Sequence, residues 1–239
     1  MMKKSFGFTL GEILIALSVI GVVASLVIPQ LVNGHKAGVA QSQFNTAYSL
    51  MAKAVADMDA DNISINPASY GTGAFYTEFK KYNRVAIDCG KYAATNTSVC
   101  FSTTDSASDL SYKSLSKKNM TSNEKQMLDD GAFVLNNGML VMIENNIAYG
   151  VMIFVDINGK NKQPNILGYD VFAFELTKDG LLPVGAEGTG LGATSKNLWG
   201  SKSPETYCDP NSEVLYNGIT CSYFALKNQD YFKNLYKGH

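Results

Sequence analysis

The chain has 239 residues, 20 basic and 21 acidic, for a formal net charge of −1. So even a balance leaves no basic footprint for a nucleic-acid backbone, and nucleic-acid binding has no electrostatic support. A hydrophobic content of 46%, with roughly 200 residues left once an apolar opening segment is set aside, is enough for one folded domain with its own core.

The opening segment is the most informative part. From Phe8 to Val32 the only ionisable side chain is Glu12. A helix of about 25 residues rises roughly 37 Å, which covers a hydrocarbon layer of about 30 Å. A cleaved secretory signal would have a shorter apolar stretch followed by small residues of A-x-A type, and neither is present. Lys3 and Lys4 precede the span and place the amino terminus in the cytoplasm; His35 and Lys36 follow it. A charge near the middle of such a span costs roughly 2.5–3.5 kcal/mol and less near one end, so a lone acid there calls for a partner. Pro29 lacks an amide hydrogen and clashes with the carbonyl of Ser25, which kinks or loosens the helix. Gly11, Ala16, Ser18, Gly21, Ala24 and Ser25 are small and permit close helix–helix approach.

The run Gly7-Phe8-Thr9-Leu10-Gly11-Glu12, followed by an unbroken apolar stretch containing Pro29, resembles the amino terminus of type IV prepilins and type II secretion pseudopilins. Gly11 is the one departure from the pattern. The resemblance covers about the first 35 residues. It implies that residues 1–7 are a leader, that a membrane-embedded prepilin peptidase cuts after Gly7, and that the same enzyme N-methylates Phe8. Residues 8–32 would then be the membrane-spanning and assembly half of a long helix, and 33–239 a periplasmic pilin-like domain. It further implies an inner-membrane assembly platform, other pilin or pseudopilin subunits as partners, and a stretch around Pro29 that melts when subunits pack into a filament. Cleavage leaves an α-amino group on Phe8 with an ordinary pKa of about 8, a cation within reach of Glu12 of the same or a neighbouring subunit. Two buried charges that meet are tolerable where one alone is not.

Beyond the span, Phe44, Tyr48, Met51, Val55 and Met58 recur at four-three-four-three spacing, which predicts an amphipathic continuation of the helix. The pattern stops at Asp57–Asn62. Asn62 to Gly73 reads as loop and Ala74 to Tyr82 as a short second helix. Residues 83–122 read as irregular, with short helical pieces between Leu110 and Met127. Ala132–Asn136, Met139–Glu144 and Tyr149–Asp156 form apolar runs separated by Asn-Asn-Gly and Asn-Asn, predicting a three-stranded antiparallel meander. Val171–Leu176 and Leu181–Val184, joined by Lys178-Asp179-Gly180, predict a further hairpin. From Gly185 on, the tail reads as loop-rich. Strands after a long amphipathic helix predict an α+β fold with the helix across an antiparallel sheet.

Cys89, Cys100, Cys208 and Cys221 allow three pairings. Proximity favours the two local ones, Cys89 with Cys100 and Cys208 with Cys221, in a domain outside the cytoplasm. Zinc is a poor rival without any C-x-x-C pair. Asp156, Asn158, Asn161, Asn165 and Asp170 bring hard oxygens together. They read as an Asx-rich turn, with calcium as the alternative. The stretch Val155-Asp156-Ile157-Asn158-Gly159, with Pro164-Asn165, Gly168, Asp170, Phe172, Phe174, Asp179-Gly180 and Gly185, resembles the carboxyl half of some pilin-like secretion proteins.

No enzyme constellation emerges: the two histidines are His35, beside the span, and His239, at the end of the chain. Gly185 to Gly192 lacks the lysine of a P-loop and reads as a flexible loop. Asp129 and Asp130 read as solvated turn residues. The expected function is that of a structural subunit of a type IV pilus or type II secretion pseudopilus, with no cofactor. The alternatives are a minor tip subunit with an adhesive or DNA-uptake role and a periplasmic binding domain on a borrowed membrane anchor.

Overall fold

A computed structural model describes residues 7–93, 98–100, 112–146, 150–191 and 203–237. Helix α1 runs unbroken from Leu10 to Ala60. Its burial changes abruptly along its length. Ala37, Ala40, Phe44, Ala47, Met51, Ala54 and Met58 are buried and recur every three or four residues, a single face turned to the domain. Tyr48 is half-buried beside them and donates its hydroxyl to the Leu181 carbonyl at 3.4 Å. The helix stops where the apolar pattern stops: the Asp61 amide donates to the Asp57 carbonyl and Asn62 turns left-handed at φ 60°, a conformation asparagine tolerates better than most residues.

Helix α2 (Ala74–Phe79) continues as a 3₁₀ turn through Tyr82, the second helix expected from the sequence. The sheet has six strands in chain order: β1 (Val85–Gly90), β2 (Gly131–Leu135), β3 (Leu140–Asn146), β4 (Gly150–Asp156), β5 (Val171–Thr177) and β6 (Gly180–Pro183), with every neighbouring pair antiparallel. The Asn136-Asn137-Gly138 turn joins β2 to β3. The Gly138 amide donates to the Leu135 carbonyl at 2.8 Å, and φ at Gly138 is 86°, which glycine adopts without a Cβ penalty.

Both faces of the sheet are covered. Towards α1 it presents Phe133, Val141, Ile153, Val155, Phe172 and Phe174. Its other face, with Val134, Met142, Met152, Phe154 and Ala173, lies under Tyr112, Leu167, Leu191, Tyr207 and Ile219. Burial on both sides explains why β4 is apolar nearly throughout instead of alternating. The result is the expected α+β architecture: a long helix on an antiparallel sheet, with a stapled, loop-rich layer behind it.

The tail departs from its reading as loop alone. Between the sheet segments, α3 (Ser122–Lys125) supplies the short helical piece expected before Met127; Leu110 and Ser111 of that expectation lie outside the described residues. Helices α4 (Cys221–Lys227) and α5 (Tyr231–Lys237) follow. Phe232 of α5 sits against Phe44 and Phe172, ring centroids 5.8 and 5.6 Å away. Each helix has only seven residues, too few to hold alone in water, so docking rather than local propensity makes them helical. The reading of residues 83–122 as irregular missed β1. This edge strand is mostly exposed and its register shifts twice against β2, so it carries no clean alternation.

Both local disulfides are formed, Cys89–Cys100 and Cys208–Cys221. The first ties edge strand β1 to the layer behind the sheet; the second ties the loop after Tyr207 to the start of α4. Opening the 13-residue separation of the second bridge by a Cys208→Ser/Cys221→Ser double change is expected to destabilise the domain by about 3 kcal/mol. Denaturant unfolding of the full chain in detergent checks this, with an unchanged midpoint as the contrary result.

Candidate functional site: the apolar half of α1

Along α1 before Asn33 almost every side chain is exposed, from Leu10, Leu14 and Leu17 to Leu26 and Leu31. A contiguous apolar sleeve of this size has no counterpart on ordinary monomeric soluble proteins and marks a surface made for lipid or for other protein. By length and composition the helix is long and apolar enough to cross a membrane. Gly7 and Phe8 lie ahead of the helix in non-helical, exposed backbone, Phe8 at 83%.

Glu12 has a partner that the sequence reading overlooked. The Thr9 amide donates to Glu12 Oε2 at 2.7 Å and the Thr9 hydroxyl donates to the same oxygen at 2.9 Å, while the Glu12 amide donates to Thr9 Oγ1 at 3.2 Å. This is a capping box. It satisfies amides that the first turn of any helix leaves unpaired. Its signal, Thr-x-x-Glu ahead of an apolar run, is present in the sequence. Only one oxygen of the carboxylate takes part in these bonds. Pro29 is accommodated inside α1 without a break in helical structure. Two hydroxyls bond back to the helix, Ser18 to the Leu14 carbonyl and Ser25 to the Val22 carbonyl, so these two polar groups are satisfied internally.

The oxygen-rich turn between β4 and β5 is folded as an Asx structure. Asp156 accepts from the Tyr112 hydroxyl at 2.7 Å and from the Gly159 amide at 2.8 Å. Asp170 accepts from the amides of Asn165 and Ile166 at 2.8 and 2.6 Å and from the Asn158 side chain at 3.2 Å. Asn161 stays exposed and apart. Burial raises Asp156 to about 7 and Asp170 to about 6 in spite of these donors. The glycine-rich segment is likewise held: the Gly190 amide donates to the Glu175 carboxylate at 2.9 Å, and Leu191 is buried. It is an anchored turn, not the flexible loop expected, over its described residues up to Leu191.

Asp129 and Asp130 also require correction. Asp130 is buried and accepts from the Asn145 amide at 2.7 Å. Together with Asp129 and the buried Glu144 it forms a cluster whose carboxylate oxygens lie within 4.8 Å of one another. Asp130 and Glu144 arrive from a loop and from β3, so their meeting is a product of sheet register. Burial, then the two neighbouring aspartates, raises Glu144 to about 8 from an ordinary 4.5. The folded state therefore holds a proton that the unfolded chain has lost between those values, and this residue's contribution to stability falls as pH rises through the window. Glu144→Gln is expected to reduce the loss of stability between pH 6 and pH 8.5, read as the difference from wild type in denaturant midpoints; equal losses in both proteins would refute it.

Cys89, Cys100, Cys208 and Cys221 act as staples and face no cleft chemistry. His35 stands on α1 at the mouth of a cleft, and His239 lies outside the described residues. Comparison of the chain with protein-family models, with curated proteins and with solved structures returns no match.

Proposed function

We propose that the chain is a filament subunit of the type IV pilin or type II secretion pseudopilin kind, cut after Gly7 and polymerised through the apolar half of α1. The observation that carries this reading is the division of one 51-residue helix. Its second half packs one face into the domain, whereas its first half is an exposed, mostly apolar rod in which Glu12 is the only ionisable side chain. A subunit in the membrane would satisfy that rod with lipid. A subunit in a filament would satisfy it with the rods of its neighbours, where the small residues between Gly11 and Ser25 allow close approach. Two disulfides support a domain placed on the oxidising side of the cytoplasmic membrane. The partners are then a prepilin peptidase, an inner-membrane platform and further subunits.

Intact-mass measurement of protein extracted from membranes tests the proposal. The expected mass lacks Met1–Gly7, carries one extra methyl on Phe8, and is four hydrogens short for two bridges. A retained leader in a host with an active prepilin peptidase overturns it.

A further inference from the structure

An open cleft of about 770 Å³ lies beside α1 at the point where its exposed rod gives way to its buried face. Three separate segments bring basic side chains to it: His35 and Lys36 from α1, Lys113 and Lys117 from the turn ahead of α3, and Lys162 from the loop between β4 and β5. Among the described residues no aspartate or glutamate lines it. None of the four lysine side chains has an ion pair or hydrogen bond among the described residues. In a chain with a net charge of −1, four unneutralised ammonium groups around one concavity are a concentrated positive field. Its lining includes apolar and aromatic groups, Ile166 and the tilted ring pair Tyr169 and Tyr236, ring centroids 4.8 Å apart.

Position identifies the ligand. His35 and Lys36 follow Val32, the end of the apolar rod, by one helical turn, about 5 Å along the axis. The polar headgroup layer extends roughly 5–7 Å beyond the hydrocarbon on each side. The cleft therefore opens at the depth of lipid phosphates. Tyrosines are at home at that boundary, and lysines bind phosphate as point charges. We infer that this cleft is a binding site for the phosphate headgroup of an anionic phospholipid, with its apolar and aromatic groups taking the glycerol and the start of the acyl chains. A lipid held there would seat the domain against the bilayer and would have to leave before the subunit moved into a filament. The inference rests on the membrane reading of α1.

The test uses the full chain reconstituted in vesicles of phosphatidylcholine alone, or of phosphatidylcholine and phosphatidylglycerol in equal parts. Flotation with the phosphatidylcholine vesicles reads the membrane span by itself; a chain that does not float refutes the span and the lipid site with it. Native mass spectrometry of protein released from the mixed vesicles then counts retained lipids. Wild type is expected to keep phosphatidylglycerol over phosphatidylcholine on the order of tenfold, and a Lys113→Gln/Lys117→Gln/Lys162→Gln variant to lose that preference. The variant should float normally and unfold at the wild-type midpoint, since none of the three side chains has an ion pair or hydrogen bond among the described residues. Equal retention of the two lipids by a floating wild type overturns the site, as does a preference that survives the triple change. Inorganic phosphate adducts without retained phosphatidylglycerol would show a free-anion site and also overturn it.

Discussion

Replacing Glu12 by glutamine is expected to leave the start of α1 intact and still stop filament growth. A glutamine at this position can accept from Thr9 as the carboxylate does, so the capping box survives. What it cannot do is neutralise an ammonium group. If the α-amino group of Phe8, freed by cleavage, enters the filament core as a cation, its unpaired burial costs about 3–5 kcal/mol, or a hundredfold or more in the equilibrium for adding each subunit. Glu12→Leu should fail equally in assembly and lose the cap as well. The readout is the yield of sheared filaments, normalised to processed protein in the membrane. Wild-type yield from Glu12→Gln would mean that the carboxylate serves only as a cap, and the assembly role given to it would have to be abandoned. The two variants together separate charge from helix capping, which leucine alone does not.

Phe44→Ala is expected to be among the most destabilising single changes in the domain, at about 3–5 kcal/mol. Phe44 has no exposed surface and meets Phe172 edge-on at 4.7 Å, with Phe174 and Phe232 at 6.1 and 5.8 Å. It thus joins three parts of the chain: α1, β5 and α5. Removing the ring leaves a cavity between these elements, and it takes from α5 one of the ring contacts of Phe232. Denaturant unfolding of the full chain should show the loss, and limited proteolysis should cut first near α5. Leu31→Ala is the natural control. Leu31, on the same helix, is 68% exposed, so its truncation should move the unfolding midpoint by no more than about 0.5 kcal/mol. Comparable effects at the two positions would contradict the division of α1 into a rod outside the domain and a strut within it.

The two variants draw on different information. The stripe through Phe44 was legible because a helix repeats its face every three or four residues, and a single line of sequence displays that period. β3, β4 and β5 were legible as apolar runs between asparagine-rich turns. The capping box is written in the sequence as Thr9 and Glu12, three residues apart ahead of an apolar run. β1 was hidden by exposure and irregular register, and α4 and α5 by brevity. The burial of Asp130 and Glu144 could not be read at all, since neighbours in sequence say nothing about which strand will lie alongside.

Taken alone, the sequence determined the properties that are local and periodic: the long helix with its mostly apolar first half and amphipathic second half, the strand-rich middle and the cysteine pairs close enough to join. Tertiary structure alone decided which distant residues share a space. It set Phe232 against Phe44, brought Glu144 beside Asp130, and gathered lysines from three segments into one cleft. The reason is physical: periodicity records what each residue faces, whereas convergence depends on sheet register and on the docking of short segments that have no stable structure until the core receives them.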